Sequence, residues 1–126
     1  MIRYSTLENV SIEVLFTAFM QSFQGFRITT ETTYESFSEM LAERNYDPKI
    51  SIGAFDTETG ELVSYVLNSI LVKDVKTAYD ILTGTIPNYR RRGISKIIFE
   101  GLFKDKSPAS YSAEEIFDKL MLIIER

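Results

Sequence analysis

Cysteine and histidine are both absent from this chain of 126 residues, and so is tryptophan. Without cysteine and histidine there are no disulfides, thiolate nucleophiles, imidazole bases or common zinc ligand sets, so no metal site is expected. A basic surplus is also missing, because 14 Lys and Arg residues stand against 18 Asp and Glu residues, for a formal net charge of −4. Such a chain repels polyanions, and we expect no nucleic-acid partner.

Long apolar runs are missing as well. No stretch approaches the roughly 18 apolar residues that cross a bilayer, and the opening segment MIRYSTLENV lacks the apolar region of a signal peptide. We therefore expect a soluble, cytoplasmic protein with no membrane partner. Hydrophobic residues make up 44% of the chain, which predicts a single domain, residues 1–126, with a core of its own.

The first part of the chain predicts one strand followed by a helix. MIRYST alternates apolar and polar residues, as a strand with one buried face does. Apolar residues then recur at three-to-four spacing over residues 9–23, which is typical of an amphipathic helix. Either Asn9 or Ser11 is suited to cap its start.

A second helix and a pair of strands follow. Thr32 and Glu35 have the spacing of a capping box and predict a helix that stops before Asp47. ISIGAF places Ile50, Ile52 and Ala54 on one face, ELVSYVLNSILV is rich in β-branched and aromatic residues, and the two segments predict two strands. The segment DTETG between them, with Gly60, predicts a hairpin connection, so the two strands should be antiparallel.

The next segment predicts a third long strand and another helix. TAYDILTGTIP reads as an extended run that ends at Pro87, which has no N–H to donate to a neighbouring strand. Residues 94–104 have helical spacing, with Lys96 and Glu100 as an i,i+4 pair on the outer face. The predicted order is therefore strand, two helices, three strands and a helix.

The last segment allows two structures. Ser112 and Glu115 have the spacing of a capping box and favour a terminal helix. The apolar run KLMLIIE is also compatible with a short buried strand at residues 119–125, which remains the alternative because periodicity alone does not separate the two.

The segment PNYRRRGIS places three arginines directly before a glycine. Such a run is a solvated basic face, a nucleic-acid contact or the rim of a phosphate site. A strand that ends at Pro87 and a helix that starts near Gly93 place free N–H groups of the first helical turn at the end of the sheet, where anions bind. Gly93 lets a phosphate approach the backbone, and Arg90, Arg91 and Arg92 add positive charge. The phosphate site is therefore favoured.

The segment IPNYRRRGISKIIFEGLF resembles the acyl-CoA-binding signature of the GCN5-related N-acetyltransferases, in which a strand runs into (Q/R)-x-x-G-x-(G/A) and a helix. Arg90 matches the first position, Gly93 the central glycine and Ser95 the last small residue. Residues 1–105 are similar to the N-terminal half of that family, whereas residues 106–126 diverge and are predicted to be helical. The resemblance implies an α/β fold of α+β type, with a mixed, mostly antiparallel sheet flanked by helices and an incomplete C-terminal half.

The resemblance also implies acetyl-CoA as co-substrate and transfer of its acetyl group to a primary amine of a small molecule or peptide. Backbone N–H groups of residues 91–95 would hold the pyrophosphate, and the strand edge would pair with the pantetheine arm. The residues assigned to the co-substrate are Thr83, Thr85, Ile86, Arg90, Arg91, Arg92, Gly93, Ile94 and Ser95.

Candidates for catalysis are fewer. Asp80 and Tyr79 lie on the strand that enters the motif, where the family sometimes carries a general base; the alternative for Asp80 is a polar residue near a strand end. Phe26 is the aromatic residue best placed to face an amine acceptor. A non-catalytic CoA-binding module that dimerises is the competing function, because an incomplete sheet leaves an edge strand on which a homodimer can form.

Overall fold

We analysed a computed structural model of the chain, which describes residues 1–23, 32–72, 76–103 and 112–125. These residues form four strands and four helices. The strands are β1 (Ile2–Thr6), β2 (Ile52–Asp56), β3 (Leu62–Val72) and β4 (Lys76–Thr85). The helices are α1 (Ile12–Ser22), α2 (Tyr34–Glu43), α3 (Ile94–Phe103) and α4 (Ala113–Ile124), and short 3-10 turns cover Pro48–Ile50 and Pro87–Tyr89.

The four strands form one sheet in the order β1-β2-β3-β4, and every pair of neighbours is antiparallel. The predicted order of elements and the α+β class are confirmed. The predicted strand ISIGAF starts later than expected, because Ile50 ends a 3-10 turn and β2 begins at Ile52. No parallel pair occurs among the described strands, although a mixed sheet was expected.

Helices cover both faces of the sheet. Residues of α1 and α2 pack with one set of β3 side chains in a cluster that includes Leu15, Phe19, Phe37, Leu41, Leu62, Tyr65 and Leu67. Residues of α3 and α4 pack with the other set in a cluster that includes Ile52, Ala54, Val63, Val66, Ile98, Leu102, Ile116 and Leu120. The sheet is thus the middle of three layers, and apolar burial on both faces stabilises it.

The residue that caps α1 is one of the two predicted from the sequence, whereas the capping box of α2 lies one residue later than predicted. Ser11 caps α1, since its side chain accepts from the Val14 N–H at 3.3 Å. The predicted capping box of Thr32 and Glu35 is wrong by one residue: Thr33 and Ser36 form it, with Oγ atoms accepting at 3.1 and 3.0 Å. A serine hydroxyl three residues into the helix can accept a hydrogen bond as a glutamate does, and a search for glutamate overlooks it.

The terminal segment is a helix, and the alternative strand at residues 119–125 is wrong. Ser112 and Glu115 form the predicted capping box at the start of α4. Ile116, Leu120 and Ile123 recur on one side of α4 and are buried in the cluster under α3 and α4. Helical spacing of the buried residues therefore decides the structure of KLMLIIE.

Among the described residues, no helix combines the length and the apolar character that crossing a bilayer needs.

Candidate functional site

The segment that connects β4 to α3 makes a tight reversal. After Thr85 the chain enters the 3-10 turn Pro87–Tyr89, and Arg91 and Gly93 then adopt positive φ angles of 64° and 77°. Gly93 needs no special room, because a Cβ atom there would meet nothing within 4 Å. Its role is conformational, since glycine adopts positive φ without the strain of other residues.

Helix α3 starts at this reversal without a side-chain cap. The Gly93 carbonyl accepts from the Ile97 N–H at 3.0 Å, which makes Gly93 the first half-helical residue of α3. Glycine has no side chain to accept from the first-turn N–H groups, and no other side chain in the described ranges takes that role. The N–H groups of Ile94, Ser95 and Lys96 therefore remain available to an anion.

A groove of about 360 Å³ lies at this helix start, within the size range of ligand sites. The end of α1, the end of β4 and the start of α3 form its walls. Five of the residues predicted to hold the co-substrate border it together with three that were not predicted; the eight are Ser22, Phe23, Thr83, Gly84, Thr85, Arg90, Arg91 and Ser95.

One wall of the groove is the edge of β4 that pairs with no other strand in the described part of the chain. The Ile86 N–H donates to the Val63 carbonyl of β3 at 2.9 Å. Backbone groups of alternate residues point to alternate sides of a strand, so those of Thr83 and Thr85 point away from β3. The Thr85 carbonyl accepts from Arg90 Nε at 3.0 Å. Among the residues that the structure describes, none bonds to the backbone groups of Thr83 or to the Thr85 N–H, so an extended ligand can pair with them.

Ile86 occupies a different position from its predicted neighbours. Its side chain is buried, its N–H bonds to Val63, and its carbonyl accepts from the Tyr89 N–H at 3.0 Å. Because both its N–H and its carbonyl bond within the protein, the Ile86 backbone is not available to a ligand. Ile94 is also buried, so only its N–H is available at the groove.

The three arginines of the motif have three different environments. Arg90 is tied to the protein, because Nε donates to the Thr85 carbonyl and Nη2 donates to the Ser22 carbonyl at the end of α1. A cation is favoured at a helix C-terminus, so Arg90 joins α1 to β4. Arg91 is exposed and borders the groove. Arg92 lies outside this groove, with its guanidinium 4.8 Å from the centroid of the Tyr89 ring.

The stronger candidate base, Asp80, lies on β4 next to a bulge. Leu67 pairs with Leu82 whereas Asn68 pairs with Asp80, which leaves Ile81 as an extra residue. Burial raises the pKa of Asp80, while the Thr83 hydroxyl, 3.3 Å from each carboxylate oxygen, partly opposes that shift. A carboxyl group with a raised pKa takes up a proton more readily near neutral pH, as a general base must.

The structure describes the backbone of one further candidate, Tyr79, and does not describe the other, Phe26. The backbone of Tyr79 pairs with Ser69 of β3, but its side chain lies outside the part of the chain that the structure describes. Phe26, predicted to face an acceptor, lies outside the described residues altogether.

Gly84 is a site residue that the motif does not contain. A Cβ atom on Gly84 would lie 2.4 Å from the Tyr65 hydroxyl and 3.1 Å from Ser22 Cβ. The Tyr65 hydroxyl is buried beside Ser22, and burial raises its pKa to about 12. Gly84 therefore lets β4 pass directly over a buried tyrosine. A glycine inside a strand pattern is a signal of such close approach.

Solved structures share this fold. A GCN5-related N-acetyltransferase from Sphaerobacter thermophilus matches 99% of this chain and 32% of its own, with a TM-score of 0.59 and 17% identity. The GCN5-related glucosamine N-acetyltransferase region of a fungal multi-domain β-N-acetylglucosaminidase matches 95% of this chain and 12% of its own, with a TM-score of 0.59 and 15% identity. Glucosamine-6-phosphate N-acetyltransferase from Arabidopsis thaliana matches 99% of this chain and 75% of its own, with a TM-score of 0.52 and 10% identity.

These matches show that the chain has the fold of the GCN5-related N-acetyltransferases, as the sequence resemblance implied. The chain spans about a third of the Sphaerobacter protein and about an eighth of the fungal one. No family model and no curated protein matches the sequence.

Proposed function

We propose that this chain binds acetyl-CoA and transfers its acetyl group to a primary amine of a small molecule or peptide. The observation that carries the proposal is the uncapped start of α3 at Gly93, which opens onto the same groove as the free edge of β4. The fold supports it, because the solved structures that share it are N-acetyltransferases by description.

The two walls of the groove suit the two chemical parts of a CoA thioester. The N–H groups of Ile94 and Ser95, with the dipole of α3 and the charge of Arg91, suit a pyrophosphate. The edge groups of Thr83 and Thr85 suit the amides of a pantetheine arm, which pairs with an edge as an added strand does. Arg90 contributes by fixing the end of α1 against β4.

Acetyl transfer needs a neutral amine nitrogen that attacks the thioester carbonyl, with the thiolate as leaving group and one proton removed from the amine. Asp80 is the residue we assign as proton acceptor. It lies on β4 three positions before Thr83, whose hydroxyl contacts it, and burial raises its pKa. Tyr79 is the second candidate for this proton transfer.

The direct test is a calorimetric titration with acetyl-CoA of the parent chain and of Ser95→Glu. A carboxylate in the first turn of α3 is favourable for the helix dipole, so the variant should fold, yet it repels a pyrophosphate at the same N–H groups. We expect saturable binding by the parent and about tenfold or greater weakening in Ser95→Glu. Ala42→Glu, which adds the same charge on an exposed position of α2, should bind as the parent does.

A failure to bind acetyl-CoA, or equal affinity in parent and Ser95→Glu, would remove the basis for the proposal. Saturable binding would justify an assay of acetyl transfer to a panel of primary amines. In that assay Asp80→Asn should lower the rate without a matching loss of acetyl-CoA affinity.

The open edge of β4 favours a second function, a non-catalytic module that dimerises. β4 pairs only with β3 among the described strands, and an unpaired edge is a template for another chain. Thr83→Pro removes an N–H that faces the free edge and would block such pairing. Sedimentation equilibrium should then show a dimer for the parent and a monomer for Thr83→Pro, whereas a monomeric parent contradicts this function.

A further inference from the structure

A second groove, with a volume of about 600 Å³, is bordered by the last turn of α1, the residue before β3 and the Pro87–Tyr89 turn. It shares no lining residue with the groove along β4. The polar residues that line it are Gln21, Glu61, Asn88, Tyr89 and Arg92. The proposed acetyl-CoA site makes no use of these side chains.

Arg92 is held in place at this groove. Its guanidinium lies 4.8 Å from the centroid of the Tyr89 ring, and the Tyr89 hydroxyl donates to Asp56 Oδ2 at 2.5 Å. Asp56 is the last residue of β2, so the arginine is supported from the sheet through two contacts. A guanidinium held in this way loses less conformational freedom when it binds a carboxylate or phosphate than a free side chain does.

The other polar groups of the groove include two acceptors. Glu61 is half-buried, and its backbone carbonyl accepts from the Asp56 N–H at 3.0 Å, which fixes its position at the hairpin. The side-chain oxygen of Gln21 is buried and has no hydrogen-bond partner among the residues described. Gln21 thus lines the groove, while this oxygen is enclosed by the protein.

Glu61 and Arg92 carry opposite charges in one groove and yet do not pair. In the described ranges neither lies within ion-pairing distance of an opposite charge, whereas Lys96 and Glu100 do pair, at 4.0 Å. The groove separates the two charges. A ligand with complementary charges at its two ends would satisfy both.

We propose that this groove binds a small amphoteric molecule, which carries a primary ammonium group and a carboxylate or phosphate group. The ammonium group binds Glu61, and the anionic group binds Arg92 and the Asn88 amide. This site is separate from the groove along β4, because the two share no lining residue.

The test is a titration of the full chain with phosphoethanolamine, followed by nitrogen–proton correlation NMR. The side-chain resonances of Gln21, Asn88 and Arg92 should shift and saturate, while the amides of Thr83 and Ser95 should stay in place. Ethanolamine and inorganic phosphate, each with one of the two charges, should bind about tenfold more weakly.

Matched variants identify the two charges. Glu61→Gln and Arg92→Gln should each weaken phosphoethanolamine binding about tenfold, whereas Glu43→Gln and Arg44→Gln, exposed charge changes at the end of α2, should leave it unchanged. The correlation spectrum of each variant shows directly whether it is folded.

Three results would overturn the proposal. The first is no saturable shift at Gln21, Asn88 and Arg92. The second is inorganic phosphate that binds as tightly as phosphoethanolamine, which would leave Arg92 as a simple anion contact. The third is displacement of phosphoethanolamine by the nucleotide half of CoA, which would make the groove part of the acetyl-CoA site.

Discussion

Helices α3 and α4 begin in opposite ways. At α4 the protein satisfies its own backbone, because Ser112 and Glu115 exchange hydrogen bonds in a capping box. At α3 Gly93 occupies the same position and has no side chain with which to do so. A capped start is closed to ligands, whereas an uncapped start beside a groove keeps its donors for one. The difference separates a helix start whose donors the fold itself uses from one whose donors are free for the binding that we propose.

The largest effect is expected at Gly84, which shapes the groove in front of α3. Gly84→Ala places a methyl group 2.4 Å from the Tyr65 hydroxyl, so either β4 or a buried ring must move. We expect a loss of about 2–3 kcal/mol in the free energy of unfolding, measured by urea denaturation. The added Tyr65→Phe change removes the nearest atom and should recover part of the loss. An unchanged midpoint in Gly84→Ala would contradict the close approach.

A smaller loss of stability is expected when the cap at the start of α4 is removed. Ser112→Ala removes the side chain that accepts from the Glu115 N–H at 3.2 Å and should lower the free energy of unfolding by about 1 kcal/mol. Acetyl-CoA affinity should remain that of the parent, because α4 takes no part in the groove. A matching loss of acetyl-CoA affinity would break the contrast between the two helices.

The smallest effect concerns Asp80 and depends on pH. Because the pKa of Asp80 is raised in the folded state, its charged form disfavours folding, and the protein loses stability as pH rises through that folded pKa. Asp80→Asn should therefore be more stable than the parent at neutral pH. The difference should shrink as pH falls below the unfolded pKa of aspartate. Equal pH dependence of the two proteins, followed by thermal unfolding, would show that burial does not perturb this carboxyl.

Local features of the structure were predictable from the sequence. The capping box of Ser112 and Glu115 and the pair of Lys96 and Glu100 each join residues three or four apart, and helical geometry alone brings them together. Gly60 was predicted in the β2–β3 hairpin connection and has a positive φ of 75° there. The placement of Gly93 between β4 and α3 also followed from the motif.

Long-range contacts at the groove were not predictable. Arg90 donates to Ser22, which is 68 positions away in the sequence, and Tyr65 lies under Gly84 because β3 and β4 pair in one particular register. From the sequence, Arg90, Arg91 and Arg92 were all predicted to bind the phosphates of the co-substrate. In the fold, Arg90 bonds to the end of α1, Arg91 borders the groove, and Arg92 contacts the Tyr89 ring.

The measurement that tests the central claim most directly is an acetyl-CoA titration followed through the backbone amide resonances of both helix starts. The account predicts that the amides of Ile94 and Ser95 shift and saturate, while those of Ala113 and Glu114 remain in place. Saturable binding that leaves Ile94 and Ser95 unmoved, or that shifts both helix starts alike, would contradict it.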